Sequence, residues 1–465
     1  MTDSLFNDVL KISVYELGSW RKTIIDNKRD MTATQPATKN ILTARLCIVC
    51  AVAASVGLPI ALISITKLVL FAAALSLLIK GLFDARAGNG KFITRLPLYT
   101  TRAVLIALAL FTVSLFWTTA QTAESVGSLA KYGKLLTIIL LTCMLRDKQE
   151  ARYALSAFVT AQAFLVISSW MLYFGIPVPW ATSRMATTEF AVFSTYLDQS
   201  IMSATAAAVC WHLRFLAPGR YGYFVAISVA VLCVSNVLFV LIGRSGHVVA
   251  IALLSLAVMW ELPRRFRWVI VILPLIFILI FSVTSNKVKS RVEMVKNEVA
   301  AFSFEKSASL TEGSSSGIRL HFWHRALQSI SESPIVGSGV GSWSNEYNRL
   351  EKRSNPASLP INERSNPHQE YLMWGVQLGV PGIFLLLGVL GAILKDTLSM
   401  QTQAARATQS ALLALAVACL FNSSIYDAQI GDFFCVVLGL LMALGLHTQN
   451  PTQPASRSTN QNDPP

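Results

Sequence analysis

The residues of this chain whose types could carry a reaction are Arg184, Arg244, Arg319 and His368. A guanidinium offers a planar fork of donors to phosphate or carboxylate oxygens, and an imidazole can take a proton from a hydroxyl near neutral pH. Arg244 lies in Leu241-Ile242-Gly243-Arg244-Ser245-Gly246-His247, a polar interruption between two apolar runs. The glycines on both sides leave space for close ligand approach. The plain alternative is a short interfacial hairpin whose arginine snorkels to water, with His247 a satisfied interfacial histidine. Arg319 stands beside the apolar face that Ile318, Phe322, Ala326, Leu327 and Ile330 form at helical spacing, with Trp323 one turn on and a stop at Pro334. An arginine next to an aromatic suits a diphosphate or a sugar; a surface helix lying on a membrane domain has the same periodicity. His368 sits in Asn366-Pro367-His368-Gln369-Glu370-Tyr371, where Glu370 is placed to orient the imidazole or to serve as the carboxylate itself. A solvated loop histidine is the other reading. Asp427 and Asp432 either face the same cavity or are ordinary interfacial acids. Gly337-Ser338-Gly339-Val340-Gly341-Ser342 lacks the strand and helix of a dinucleotide motif and reads as a turn. The sequence has no Ser/His/Asp arrangement, zinc spacing, Walker loop or Asp-rich cluster, so neither a metal nor a cofactor is expected.

The composition indicates what kind of element must position these groups. Of 465 residues, 53% are hydrophobic and 14% charged, with mean hydropathy +0.53, whereas soluble globular chains carry roughly 25% charged residues. The pattern excludes disorder and an ordinary soluble enzyme. It predicts an all-α, polytopic integral membrane protein. The net charge of +14 would suggest nucleic acid in a soluble chain; here its distribution matters more, and no nucleic-acid partner is expected. The seven cysteines fall in or beside apolar segments and read as small hydrophobes.

A spanning helix needs about 20 mainly apolar residues, and twelve stretches qualify: 41–57, 62–79, 97–117, 130–145, 153–174, 197–213, 222–242, 247–261, 267–284, 371–394, 409–423 and 433–447. Gly57-Leu58-Pro59 breaks the first two apart. Basic residues mark alternate connections: Arg86, Lys91 and Arg95; Arg146, Lys148 and Arg152; Arg214 and Arg220; Arg264, Arg265 and Arg267; Lys395 and Arg406. By the positive-inside rule these connections, and both termini, are cytoplasmic. Residues 1–40 then form a cytoplasmic lead-in, with Met31 a second plausible start, and 448–465 a disordered cytoplasmic tail. The spans at 41–284 and 371–447 enclose a long non-cytoplasmic loop, 285–370, with helix-like patterning. All four basic candidates fall on that outer face.

Several segments recur in a telling order. Gly243-Arg244-Ser245-Gly246 opens a helix, and Gly317-Ile318-Arg319 is followed by Trp323 and Ala326. Ser333-Pro334-Ile335-Val336-Gly337-Ser338-Gly339 comes next, then Pro367-His368-Gln369-Glu370-Tyr371-Leu372 and Gln377-Leu378-Gly379-Val380-Pro381-Gly382. Together they resemble the O-antigen ligase and O-antigen polymerase superfamily of bacterial envelope glycosyltransferases, most strongly from Val237 to Gly382. The resemblance implies a GT-C-like inner-membrane glycosyltransferase acting on the periplasmic face without a metal. Its donor would be a glycan on undecaprenyl diphosphate, and its acceptor a sugar of the lipid A core. Arg244 and Arg319 would bind the diphosphate and His368 would serve as general base; Arg184 matches more loosely, with Glu370, Trp323 and Asp427 in support. Gln369 stands where Asn is frequent, with little effect expected. Within the same chemistry, the acceptor could instead be another O-antigen repeat or a protein. A non-enzymatic polyprenyl-glycan transporter is the alternative outside it, disfavoured because the polar outliers gather on one face rather than at the midplane.

Overall fold

The computed structural model describes residues 44–86, 96–263, 265, 315–354, 356 and 366–447. The expected N-terminal segment, the span at 267–284, the first part of the long loop and the C-terminal tail lie outside them. All secondary structure among the described residues is helical.

In chain order the helices are α1 (Ala44–Ser55), α2 (Ile60–Arg86), α3 (Leu98–Val113), α4 (Thr122–Tyr132), α5 (Leu136–Met144), α6 (Lys148–Tyr173), α7 (Ala186–Glu189), α8 (Tyr196–Leu213), α9 (Gly219–Ser235) and α10 (Arg244–Glu261). They continue with α11 (Ser315–Glu332), α12 (Trp343–Ser354), α13 (Glu370–Leu378), α14 (Val380–Thr397), α15 (Thr402–Ala418) and α16 (Ala428–His447). Among the described residues, eight helical segments are long and apolar enough to cross a membrane: 98–116, 122–144, 148–173, 219–240, 244–261, 380–397, 402–421 and 428–447. Helices α1 and the first part of α2 are apolar but shorter. Large side chains such as Leu68, Ile106, Phe239 and Phe384 stand exposed on helix flanks, as expected where lipid rather than water is the solvent. The chain is a multi-pass membrane protein.

Two helices form the interior. The whole length of α16 is buried among α2, α5, α6, α8 and α15, and α8 packs against α9, α10 and α15. The Ala204-Thr205-Ala206-Ala207-Ala208 run of α8 is buried throughout, and small residues let backbones approach where no hydrophobic effect drives association.

Three elements depart from the sequence-based spans. The expected helix at 371–394 is two helices, α13 and α14, broken at Gly379. That residue takes φ +72°, and a Cβ there would fall 2.5 Å from the Pro334 carbonyl oxygen. The Val380 amide donates to the same carbonyl at 2.8 Å, so the break is tied to the long loop. The span at 130–145 begins earlier, because α4 continues through a tight turn into α5. In the long loop, α11 buries Phe322, Ala326 and Ile330 as its periodicity predicts, and stops before Pro334. Leu327 is exposed instead, lying one position off that row. A second helix, α12, packs on α11; His321 Nε2 and Arg325 Nε both reach Glu351 Oε1 of α12, at 2.7 and 2.6 Å.

Candidate functional site

The Arg244 turn is built by close packing. Gly243 caps α10 in extended conformation and Arg244 is its first, exposed residue. A Cβ on Gly243 would fall 2.5 Å from Ser200 Oγ, and one on Gly246 2.1 Å from it. The glycines therefore make room for α8, not for a ligand as their spacing suggested. His247 Nδ1 lies 2.7 Å from the Gly243 carbonyl oxygen, the satisfied histidine of the plainer reading.

Arg319 is near enough to Arg244 and to Tyr196 of α8 for their charges to act on it. It lies half-buried on α11, and burial lowers its pKa first, with Arg244 adding to the fall and Tyr196 opposing it. Two guanidinium groups that act on each other's charge would both be stabilised by a shared anionic partner. Trp323, one turn on from Arg319, packs partly buried against the hydrophobic core.

His368 is held in a conformation few non-glycine residues adopt, φ +54°. Its amide donates to Asn366 Oδ1 at 2.9 Å, and Asn366 Nδ2 donates to Asp427 Oδ1 at 2.9 Å. The imidazole stacks on Phe322, ring centres 6.1 Å apart and 20° from parallel. Phe322 is one turn from Arg319 on α11, so the imidazole and the guanidinium share a helix face. Left-handed strain of this kind persists only where the surroundings over-determine it, and here a hydrogen-bonded relay and a ring do so.

Glu370 does not orient the imidazole. It is fully buried, accepting from Trp374 Nε1 at 2.9 Å and from the Ile425 and Tyr426 amides at 2.9 and 3.1 Å. Burial pushes it up to about 7 against the pull of those donors. Its work is to clamp α13 to the loop that carries Asp427. Gln369, where little effect was expected, caps α13 by accepting from the Leu372 amide at 3.0 Å.

Asp427 also rises with burial, to about 6, while Lys134, Lys131 and a hydrogen bond from Asn422 pull it back. Asn422 Nδ2 also reaches Asp198 Oδ1 on α8, at 3.4 Å. Asp432 belongs elsewhere: Lys67 Nζ meets both its oxygens at 2.8 and 2.7 Å. The glycine-rich turn is a turn, with its amides already used: Ser338 and Gly339 donate to the Val376 and Gln377 carbonyls at 2.8 and 2.9 Å.

Arg244 thus acts on the charge of Arg319, His368 stacks on Phe322 of the helix that carries Arg319, and Asp427 is linked to the His368 backbone through Asn366. Arg184 stands exposed in the α6–α8 loop, and no hydrogen bond or ion pair among the described residues ties it to them. Sequence reasoning missed the first turn of α8, where Tyr196 faces Arg319, Asp198 faces Asn422, and Ser200 faces the Arg244 turn. It also missed Asn366 and Lys134. Lys134 carried a usable signal, since a cation inside an apolar span is a functional candidate by default.

No curated protein matches the chain. Residues 229–387 match the family model described as O-Antigen ligase. That segment runs from the end of α9 into α14 and contains Arg244, Arg319 and His368. The chain is a multi-pass membrane protein in which residues 229–387 are similar to the O-antigen ligase family, a likeness consistent with membership of that superfamily of glycosyltransferase-like membrane enzymes.

Proposed function

We propose that this protein is an O-antigen ligase. It would transfer a glycan from undecaprenyl diphosphate to a sugar hydroxyl of the lipid A core, at the periplasmic face of the inner membrane. What supports the reading is that Arg244 acts on the charge of Arg319 from a separate segment, while the His368 imidazole stacks on Phe322, one turn from Arg319 on α11. The arginines hold the diphosphate, and their charge stabilises it as it leaves. His368 removes the acceptor hydroxyl proton as the oxygen attacks the anomeric carbon. The bond from that carbon to the diphosphate oxygen breaks, with inversion, and positioning plus electrostatics do the work without a metal. Asp427, through Asn366, fixes the His368 backbone.

The donor's chemistry suits a second feature. Along α10, whose first residue is Arg244, runs an apolar groove of about 500 Å³ between α8, α9 and α10, lined by Ala208, Val234, Leu238, Leu254 and Ala257 among others. A cationic end and an apolar flank on one helix match an anionic head on a hydrocarbon tail. Polymerisation would use the same groups with another glycan repeat as acceptor.

The test is complementation of a Gram-negative strain lacking its own ligase. The native chain should restore polymeric O-antigen on lipid A core, and His368→Ala should not. Restoration by both, with both proteins in the membrane, overturns the His368 role; restoration by neither moves the reading to polymerisation or protein glycosylation.

A further inference from the structure

Lys134 is a buried cation that this scheme leaves unused. It lies within the 122–144 span, between α4 and α5, with 4% of its surface exposed. Such a cation is costly and persists where its protons find acceptors. Its Nζ donates to the Asp427 carbonyl oxygen at 2.6 Å and to that of Tyr426 at 3.3 Å. A Cβ on Gly431 would fall 2.8 Å from Nζ, so the ammonium is threaded under the first turn of α16. From the other side, Glu370 takes the amides of Ile425 and Tyr426. The peptide groups that carry Asp427 are therefore gripped on their N–H side by a carboxylate and on their C=O side by an ammonium.

We propose that Lys134 is a positioning residue: its ammonium fixes the Tyr426 and Asp427 carbonyls and supplies the charge that keeps the Asp427 carboxylate available to Asn366, and through Asn366 sets His368. The link to transfer rests on the role proposed above for His368. The electrostatics agree. The groups that act on or adjoin Asp427 are Lys134 and Lys131 from the 122–144 span, Asn366 and Glu370 from the His368 segment, Asn422 from its own loop, Asp198 from α8, and Asp432, itself held by Lys67, from α16. Among the groups that lower Asp427, Lys134 acts most strongly. Removing its charge must raise the pH at which Asp427 gains a proton, so transfer loses its acid side at higher pH. Lys134 Nζ holds the Asp427 carbonyl rather than its carboxylate, and an opposite charge within about 4–6 Å of a carboxylate is worth about one to three pH units.

The experiment compares full-length protein with Lys134→Gln, Lys134→Met, Lys134→Arg and Asp427→Asn in lipid nanodiscs. The protonated carboxyl C=O stretch is titrated by infrared difference spectroscopy, with the band missing from Asp427→Asn assigned to Asp427. Transfer is followed over the same pH range. The midpoint should rise by about one unit in Lys134→Gln and Lys134→Met and stay in place in Lys134→Arg, with the acid limb of transfer moving alongside. Lys134→Met matches the apolar surroundings and keeps the test open if Lys134→Gln does not fold. A folded variant that titrates where the native protein does overturns the proposal, as does a shifted titration with an unmoved acid limb. The infrared readout needs no turnover, so a native protein that transfers no glycan defeats the ligase reading separately, while the titration still decides Lys134.

Discussion

Gly246→Ala tests whether the Arg244 turn is set by its contact with α8. The new Cβ would stand 2.1 Å from Ser200 Oγ and 2.3 Å from Ser200 Cβ, against the 3.4 Å at which ordinary contact begins, a shortfall of 1.3 and 1.1 Å. Ser200 Oγ cannot swing aside freely, because it donates to the Leu197 carbonyl at 2.8 Å. The helices must part by about an ångström. Overpacking of this size costs about 1–3 kcal/mol, and a displacement of that order at a binding group costs about 10²-fold in rate. The assay is glycan transfer in proteoliposomes, with thermal unfolding of the same samples. The geometry grades the rescue. Ser200→Ala removes Oγ but leaves the 2.3 Å clash, so it should restore little. Ser200→Gly removes both, leaving a backbone carbon at 3.0 Å, and should restore most of the rate once its own helix cost of about 0.5–1 kcal/mol is subtracted in a double-mutant cycle. Native transfer in Gly246→Ala, or full rescue by Ser200→Ala, would refute the reasoning.

Three further outcomes follow from the site. His368→Asn keeps a side chain that tolerates the left-handed backbone but has no base, so it should unfold like the native protein while transfer falls about 10²–10⁴-fold. Arg319→Lys keeps the charge and loses the planar fork, and should weaken the donor's KM more than that of the acceptor. Glu370 is raised in the folded state to about 7, from an ordinary 4.5. Between those values the folded protein binds more protons than the unfolded chain, so its contribution to stability is present below 4.5 and lost as the pH rises through 7. Unfolding followed across that window should show a decline that Glu370→Gln flattens.

Hydropathy made the class of fold legible, and the residues Gly243 to Gly246, Arg319 and His368 made the centre of the site legible, because each interrupts an apolar or amphipathic run. What stayed hidden depends on pairing between distant segments. Glu370 reads as a neighbour of His368, yet its three donors come from Trp374 and from residues 425–426, and only the folded chain reveals that. Gly379 looked like one glycine in a spanning run, because the Pro334 carbonyl that requires the break lies more than forty residues away.

The first turn of α8 acts as a common datum for the site. Tyr196 acts on the charge of Arg319, Asp198 accepts from Asn422 of the Asn422–Asp427 loop, and Ser200 packs on the Arg244 turn, three parts that the chain itself supplies far apart. Parts referred to one datum do not accumulate each other's positional errors. They also move together, so a shift of α8 displaces all three parts of the candidate site in a single step. The packing of α8 against α9, α10 and α15 then becomes a control on the whole candidate site rather than on one of its contacts.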